Sequence, residues 1–325
     1  MLFAADRAPQ AEIRMRKMLK VGLYLAAPVV LGVFTMSAPG ISISLADRAP
    51  PQVGAYDPLA ALDSVDGLRL DHIFISWKDD NTTLLRRADR AASVRGRELL
   101  VTVEPFLADG ESRETMFRDI RRGVYDSRIK AVCRVMGSSP SAPLVRWGHE
   151  MDDRSGRYPW AQPDAKGYIS AYRYFVDMCR QFAPAARFVW SPMGTPYLED
   201  YYPGPAHVDY VGLPVWGFQA WDMYYFGRTR TLNELIGEKY SLVKRYKKPV
   251  IIAEFGVAGE PTYQRSLLSK MRSTSNRFPR LRAIVYFNMK EPYFWPNGFG
   301  SPDWRVPARM LARFIPSDSL AAAGE

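Results

Sequence analysis

Short apolar runs recur along the chain, and between them apolar residues fall at intervals of three and four. The runs at 52–56, 71–77 (DHIFISW), 98–105 (ELLVTVEP) and 144–147 predict four strands. Four more are predicted at 187–191 (RFVWS), 208–215 (VDYVGLPV), 249–255 (PVIIAEF) and 283–288 (AIVYFN). Helical periodicity predicts helices over 82–94, 113–123, 126–136, 167–182, 231–246, 262–277 and 307–314, the clearest being 167–182. The β-branched run VTV fits a strand buried on both faces. Eight short strands alternating with helices predict an α/β fold with a parallel sheet closed into a single (β/α)8 barrel. The stretch 192–207 carries little helical pattern, so the alternation breaks there. There is no Pro/Gly/Ser linker and no internal repeat, so one domain is expected.

In such a barrel the chemistry sits at the carboxyl ends of the strands. A period of two through RWGHE puts Arg146, Gly148 and Glu150 on one face, with Glu150 at the strand's carboxyl end. Glu254 lies inside the seventh run. Strands four and seven face each other across the mouth of a closed barrel of eight, so the two carboxylates can converge on one substrate. Glycosidic cleavage needs such a pair, and a separation of about 5 Å gives retention through a covalent intermediate. A bland reading stands beside this one. Glu254, in a run as apolar as VIIAEF, also reads as a core acid that needs a partner, with Arg146 a candidate.

Composition narrows the picture. The 325 residues are 47% hydrophobic with 8 Trp, 18 Tyr and 16 Phe, ample for a buried core. Many of the later rings fall in polar loops, where flat rings bordered by hydrogen-bonding groups suit sugar faces. Arg14, Arg16, Lys17 and Lys20 precede an apolar run over 21–36, followed by the small-x-small triplet Ser44, Leu45, Ala46. Residues 1–46 therefore read as a signal peptide; an uncleaved N-terminal anchor is the alternative, against which Pro28 and the shortness of the run argue. A secreted or periplasmic catalytic domain, 47–325, is expected, monomeric and without stable membrane association after cleavage. Removing 1–46 takes away five basic and two acidic residues, so the +10 formal charge becomes +7. The basic residues are scattered, which predicts a solvated surface and no nucleic-acid partner.

Cys133 and Cys179 allow one disulfide or two buried thiols. The three His include His149 beside Glu150, but no second His follows at helical spacing, so no metal site is expected. The chain has no GxSxG elbow and no phosphate-binding Gly loop, and no cofactor is expected.

RWGHEM with YPW downstream, VWSP, YYPG, VDYVGL, KPVIIAEFG, and YFN with a later DW occur in that order between residues 54 and 305. As a set they resemble glycoside hydrolase family 26, which contains β-mannanases with some mixed-linkage β-glucanases and β-1,3-xylanases. The resemblance implies a (β/α)8 barrel and a retaining mechanism, with Glu150 as acid/base, Glu254 as nucleophile, and His149 as the His preceding the acid. Tyr158, Trp160, Trp190, Tyr202, Trp216, Trp221 and Trp304 are candidate sugar platforms, and Arg146 and Asp153 candidate polar contacts. The chain departs from the family's HEMNG, reading HEMDDRSGR with a longer loop. It also carries Trp216 where the family tends to offer a Tyr to the nucleophile; the indole either donates a hydrogen bond there or stacks. The expectation is a retaining endo-β-glycanase hydrolysing a β-linked polysaccharide, of β-mannan or β-glucan type, by double displacement. A non-catalytic polysaccharide-binding or exopolysaccharide assembly protein on the same scaffold is the alternative.

Overall fold

The computed structural model describes residues 49–315, all within one compact unit; the 1–46 segment read as a signal or anchor lies outside them. The strands are β1 (Gln52–Tyr56), β2 (Leu70–Ser76), β3 (Glu98–Glu104), β4 (Leu144–Trp147), β5 (Arg187–Trp190), β6 (Tyr210–Phe218), β7 (Val250–Ala258) and β8 (Leu281–Phe287). Each pairs in parallel with the next, and β1 pairs with β8, so the sheet is a closed eight-stranded barrel. The helices are α1 (Thr82–Val94), α2 (Met116–Arg121), α3 (Asp126–Gly137), α4 (Ala165–Phe182), α5 (Gln219–Phe226), α6 (Leu232–Val243), α7 (Pro261–Leu268) and α8 (Ala308–Ala312).

The connection after β5 has the broken alternation expected from its sequence, and two other elements depart from the sequence reading. The helix expected over 262–277 stops at Leu268 and continues as a 3-10 turn over Met271–Asn276. That MRSTSN stretch is rich in side chains that compete for backbone hydrogen bonds. Only the 3-10 turn Leu198–Tyr201 interrupts the connection after β5. Helix α5 follows β6 directly, but its sequence QAWDMYYF offers no apolar stripe at helical spacing.

Inside the barrel, Leu70, Leu100, Leu144, Val189, Ile251 and Val285 form an aliphatic layer. Outside it, Trp147, Phe175, Phe188, Trp190, Ile252 and Phe255 belong to the core shared by sheet and helices. Cys133 of α3 and Cys179 of α4 form a disulfide with their Cα atoms 5.1 Å apart, which resolves the choice that the sequence left open.

The parity of β7 changes midway. Ile251 and Ala253 face the interior layer while Ile252 and Phe255 face the helices. The pairing with β6 skips one residue between Leu213 and Pro214, so Pro214 lies opposite Glu254 rather than Ala253. This bulge at Ala253 turns Glu254 inward, where uninterrupted alternation from Ile252 would have turned it out.

Candidate active site

Above the aliphatic layer the barrel interior becomes polar. His72 of β2, Thr102 of β3 and Arg146 of β4 are all buried. Arg146 Nε donates to Thr102 Oγ1 at 2.7 Å, and His72 Nε2 lies 2.7 Å from the same hydroxyl. Arg146 Nη1 donates to Glu254 Oε1 at 2.7 Å, an ion pair with the arginine fully buried and the carboxylate nearly so. The bland reading of Glu254 thus named its partner correctly. Arg146 Nη2, also buried, has no protein partner among the described residues. Burial and the nearby Arg146 charge hold both His72 and His149 well below the ordinary imidazole range, so both are neutral.

Glu150 reaches the mouth by a different route from the one its spacing implied. Strand β4 ends at Trp147; Gly148 and Glu150 both take left-handed backbone, with φ of 53° and 52°. A non-Gly residue held there is strained, and such strain gathers at sites where surrounding contacts fix the chain. Here Glu150 N donates to Ser191 O at 2.7 Å. The next acid, Asp152, accepts from the backbone N–H groups of Met193, Gly194 and Thr195 at 2.6, 3.0 and 2.7 Å. The segment after β4 is thereby pinned to the segment after β5.

Glu150 is 6% exposed. Burial pushes its carboxyl up to about 8; the charge of Glu254 adds to the rise, while Arg157 and Arg146 oppose it. Tyr56 and Tyr158 lie near these acids, Phe74 lies against Arg146 and His149, and Phe287 packs between Tyr56 and Trp216. Tyr158 lies 5.0 Å from His149 and stacks on Trp160 at 4.6 Å, ring centre to ring centre. Trp216 stacks on Trp304 at 4.7 Å. Both indoles crowd Gly256, where a Cβ would come within 2.7 Å of Trp216 and 2.8 Å of Trp304.

Several residues read as sugar platforms have other roles. Trp160 and Trp304 are fully buried and back the rings in front of them; Trp160 Nε1 donates to His149 O at 2.6 Å. Trp190 and Tyr202 are corrections. Trp190 is fully buried in the core between sheet and helices, against Tyr202 and Tyr246, and Tyr202 stacks on Tyr246 at 4.1 Å. Parity decides this: Val189 takes the inward position on β5, so Trp190 points out. Trp221 sits on α5, in an aromatic group beyond Trp216. Asp153 binds its own loop, accepting from Ser155 N and Oγ at 2.9 and 2.6 Å, and its charge adds to the rise at Glu150. Trp216 stacks rather than serving Glu254, whose hydrogen bond comes from Arg146.

The structure adds three charged residues that sequence reasoning missed. Glu104, the last residue of β3, lies near Arg146, Glu254 and Arg157, and burial raises its carboxyl to about 7. Arg157, from the loop after β4, lies over the rings of Tyr158 (5.0 Å) and Tyr293 (4.1 Å). It also pairs with Glu291 at 3.4 Å. Glu291 is buried, which raises its carboxyl, and it accepts from Trp304 Nε1 at 3.4 Å. An acid closing a buried strand, as in VTVE, is the same signal that marked Glu150 and was available for Glu104. Arg157 and Glu291 are loop residues with no such mark. Four carboxyls thus surround two guanidinium groups. Among the described residues no cluster of His, Cys, Asp or Glu is arranged to hold a metal ion.

No family model matches the chain, and no curated protein matches it in sequence. Solved structures do match its fold. A GH26 protein of a Muricauda species superposes with a TM-score of 0.60 at 16% identity, covering 82% of this chain and 85% of that one. A GH26 β-mannanase of Bacteroides ovatus gives 0.57 at 16%, covering 83% and 88%. A GH5-4 broad-specificity endoglucanase of Clostridium longisporum gives 0.55 at 8%, covering 79% and 84%. The chain shares their barrel.

Proposed function

We propose that this chain is an exported retaining endo-β-glycanase of the glycoside hydrolase family 26 type, acting on a β-mannan or β-glucan. One observation carries the reading. Glu150 and Glu254 occupy the same barrel mouth, the first kept protonated at neutral pH by burial and by the charge of the second, whose Oε1 accepts a hydrogen bond from Arg146 at 2.7 Å. Paired groups whose environments separate their roles are what double displacement requires. The barrel shared with proteins named as β-mannanases and an endoglucanase supports the class.

In the first step the Glu254 carboxylate attacks the anomeric carbon, the glycosidic C–O bond breaks, and Glu150 gives its proton to the departing oxygen. In the second, water attacks the same carbon, Glu150 takes its proton, and the bond to Glu254 breaks. Arg146 keeps Glu254 in place between turnovers, and the neutral His149 and Tyr158 border the acid without adding charge. The disulfide supports an oxidising, extracytoplasmic location. No helix among the described residues is long and apolar enough to cross a membrane.

The purified chain is tested for oligosaccharide release from mannan, glucomannan, mixed-linkage β-glucan, xylan and cellulose. Release is expected on at least one polymer, with the β-configuration in the first-formed product by NMR. Glu254→Ala is expected to lower turnover by 10⁴-fold or more on the order of nucleophile removals. A folded wild type silent on every polymer would transfer the reading to a binding or assembly role.

A further inference from the structure

Helix α5 is inverted relative to an ordinary surface helix. Of its eight residues, QAWDMYYF, the one fully buried is Asp222. Met223, Tyr224, Tyr225 and Phe226 are exposed, Tyr224 at 70%. The buried acid is well satisfied: it pairs with Arg230 at 2.8 Å and accepts from Arg230 N and Tyr263 Oη. Burying a charge while exposing four large apolar side chains is the reverse of what solvation favours, and a contiguous apolar patch of this kind marks a binding surface.

The patch is ordered and extends beyond the helix. The loop after β8 folds back on itself, with Trp295 bridged to Gly300, and brings Phe299 against Trp221, Tyr224 and Phe218 at 5.3, 5.6 and 5.6 Å between ring centres. Trp221 packs against Tyr225 at 4.4 Å between ring centres, with the planes tilted, and Asn297 Nδ2 donates to Tyr225 Oη. A chain of rings then leads inward. Trp221 meets Trp295 (5.5 Å), Trp295 meets Trp304 (5.5 Å), and Trp304 stacks on Trp216, which lies opposite Gly256, two residues past Glu254.

Building on the proposed glycanase reading, we propose that α5 and the loop after β8 form an accessory glycan-binding shelf. It would hold the distal sugars of the β-linked chain whose scissile bond lies between Glu150 and Glu254. Continuity with the mouth along the half-buried Trp216 and Phe218 of β6, the latter against Phe299, selects this occupant, as does the chemistry of the rings. Tyr224, Tyr225 and Phe299 offer flat faces, and tyrosine hydroxyls and the Asn297 amide border them, the combination that sugars need. Preordering by Asp222 and Asn297 lowers the entropy cost of binding.

The test compares the wild type with Tyr224→Ser/Phe299→Ser in the full chain, with thermal melts to show that both fold. Tyr224→Ser alone serves as the milder variant. Retardation in native gels containing glucomannan or mixed-linkage β-glucan is read beside KM and kcat on the same polymers. The double variant should lose retardation and show KM raised about 10-fold, from roughly 3-fold per ring, with kcat within about 2-fold of wild type. If the wild type binds these gels through the shelf but turns over nothing, the shelf stands and the catalytic reading fails. If wild type and variant share the same KM and retardation, or the wild type is not retarded by any polymer, the shelf is overturned. It is equally overturned if the variant loses only binding to phosphatidylglycerol vesicles, or only a concentration-dependent self-association in sedimentation. Those results would reassign the patch to a lipid surface or to a second copy.

Discussion

Arg146 is the residue on which the polar interior depends. It binds Thr102 and Glu254 while wholly buried. Arg146→Met should cost about 3–5 kcal/mol in urea unfolding, because it leaves the Glu254 carboxylate buried without a partner. Adding Glu254→Leu should recover most of that loss, since the desolvated charge is gone; no recovery would show that packing rather than charge was lost. Glu150 makes a second prediction, with a definite sign. Its carboxyl rises from 4.5 to about 8 on folding, so its contribution to stability is complete below pH 4.5 and disappears as pH rises through about 8. Glu104, raised to about 7, adds a loss of the same sign. Unfolding free energy should therefore fall between about pH 5 and 9, and Glu150→Gln should flatten that slope. In activity, kcat/KM should decline above about pH 8, with apparent values that belong to the coupled acids rather than to Glu150 alone.

At the scale of elements, the geometry of the candidate site depends on irregularities rather than on regular strands. The bulge at Ala253 turns Glu254 into the barrel, and left-handed backbone at Gly148 and Glu150 brings the acid over the mouth. Gly256 lets two indoles pack on β7. Gly256→Ala should displace Trp216 and Trp304, costing about 1–3 kcal/mol from overpacking and raising KM more than it lowers kcat. The disulfide ties α3 to α4 across a sequence separation of 46. Chain-entropy arguments give it about 4 kcal/mol, so Cys133→Ser/Cys179→Ser should lower Tm by about 10 °C in calorimetry. An unchanged Tm would mean that the other α3–α4 contacts, among them the hydrogen bond from Tyr174 of α4 to Asp126 of α3, already hold these helices.

For the whole molecule, the alternation of apolar runs and helical stretches determined the barrel, because burial on both faces of parallel strands requires that pattern. Glu150 as an acid just after an apolar strand, the acid within an apolar run at Glu254, and Arg146 as its partner were likewise legible in the chain, but the left-handed turn that carries Glu150 to the mouth was not. Tertiary structure alone decided which rings face the mouth. Trp190 points into the helix layer because strand parity assigns Val189 to the interior, and Tyr202, after the 3-10 turn, packs there against Trp190 and Tyr246. Trp160 and Trp304 became supports because other rings lie in front of them. Arg157 and Glu291, 134 residues apart in sequence, meet only once the loops after β4 and β8 fold over the barrel. Local pattern encodes which residues are buried, because burial follows from periodicity along a single element. It does not encode which distant side chains share a site, because loop closure and a one-residue bulge decide that without leaving a period in the sequence.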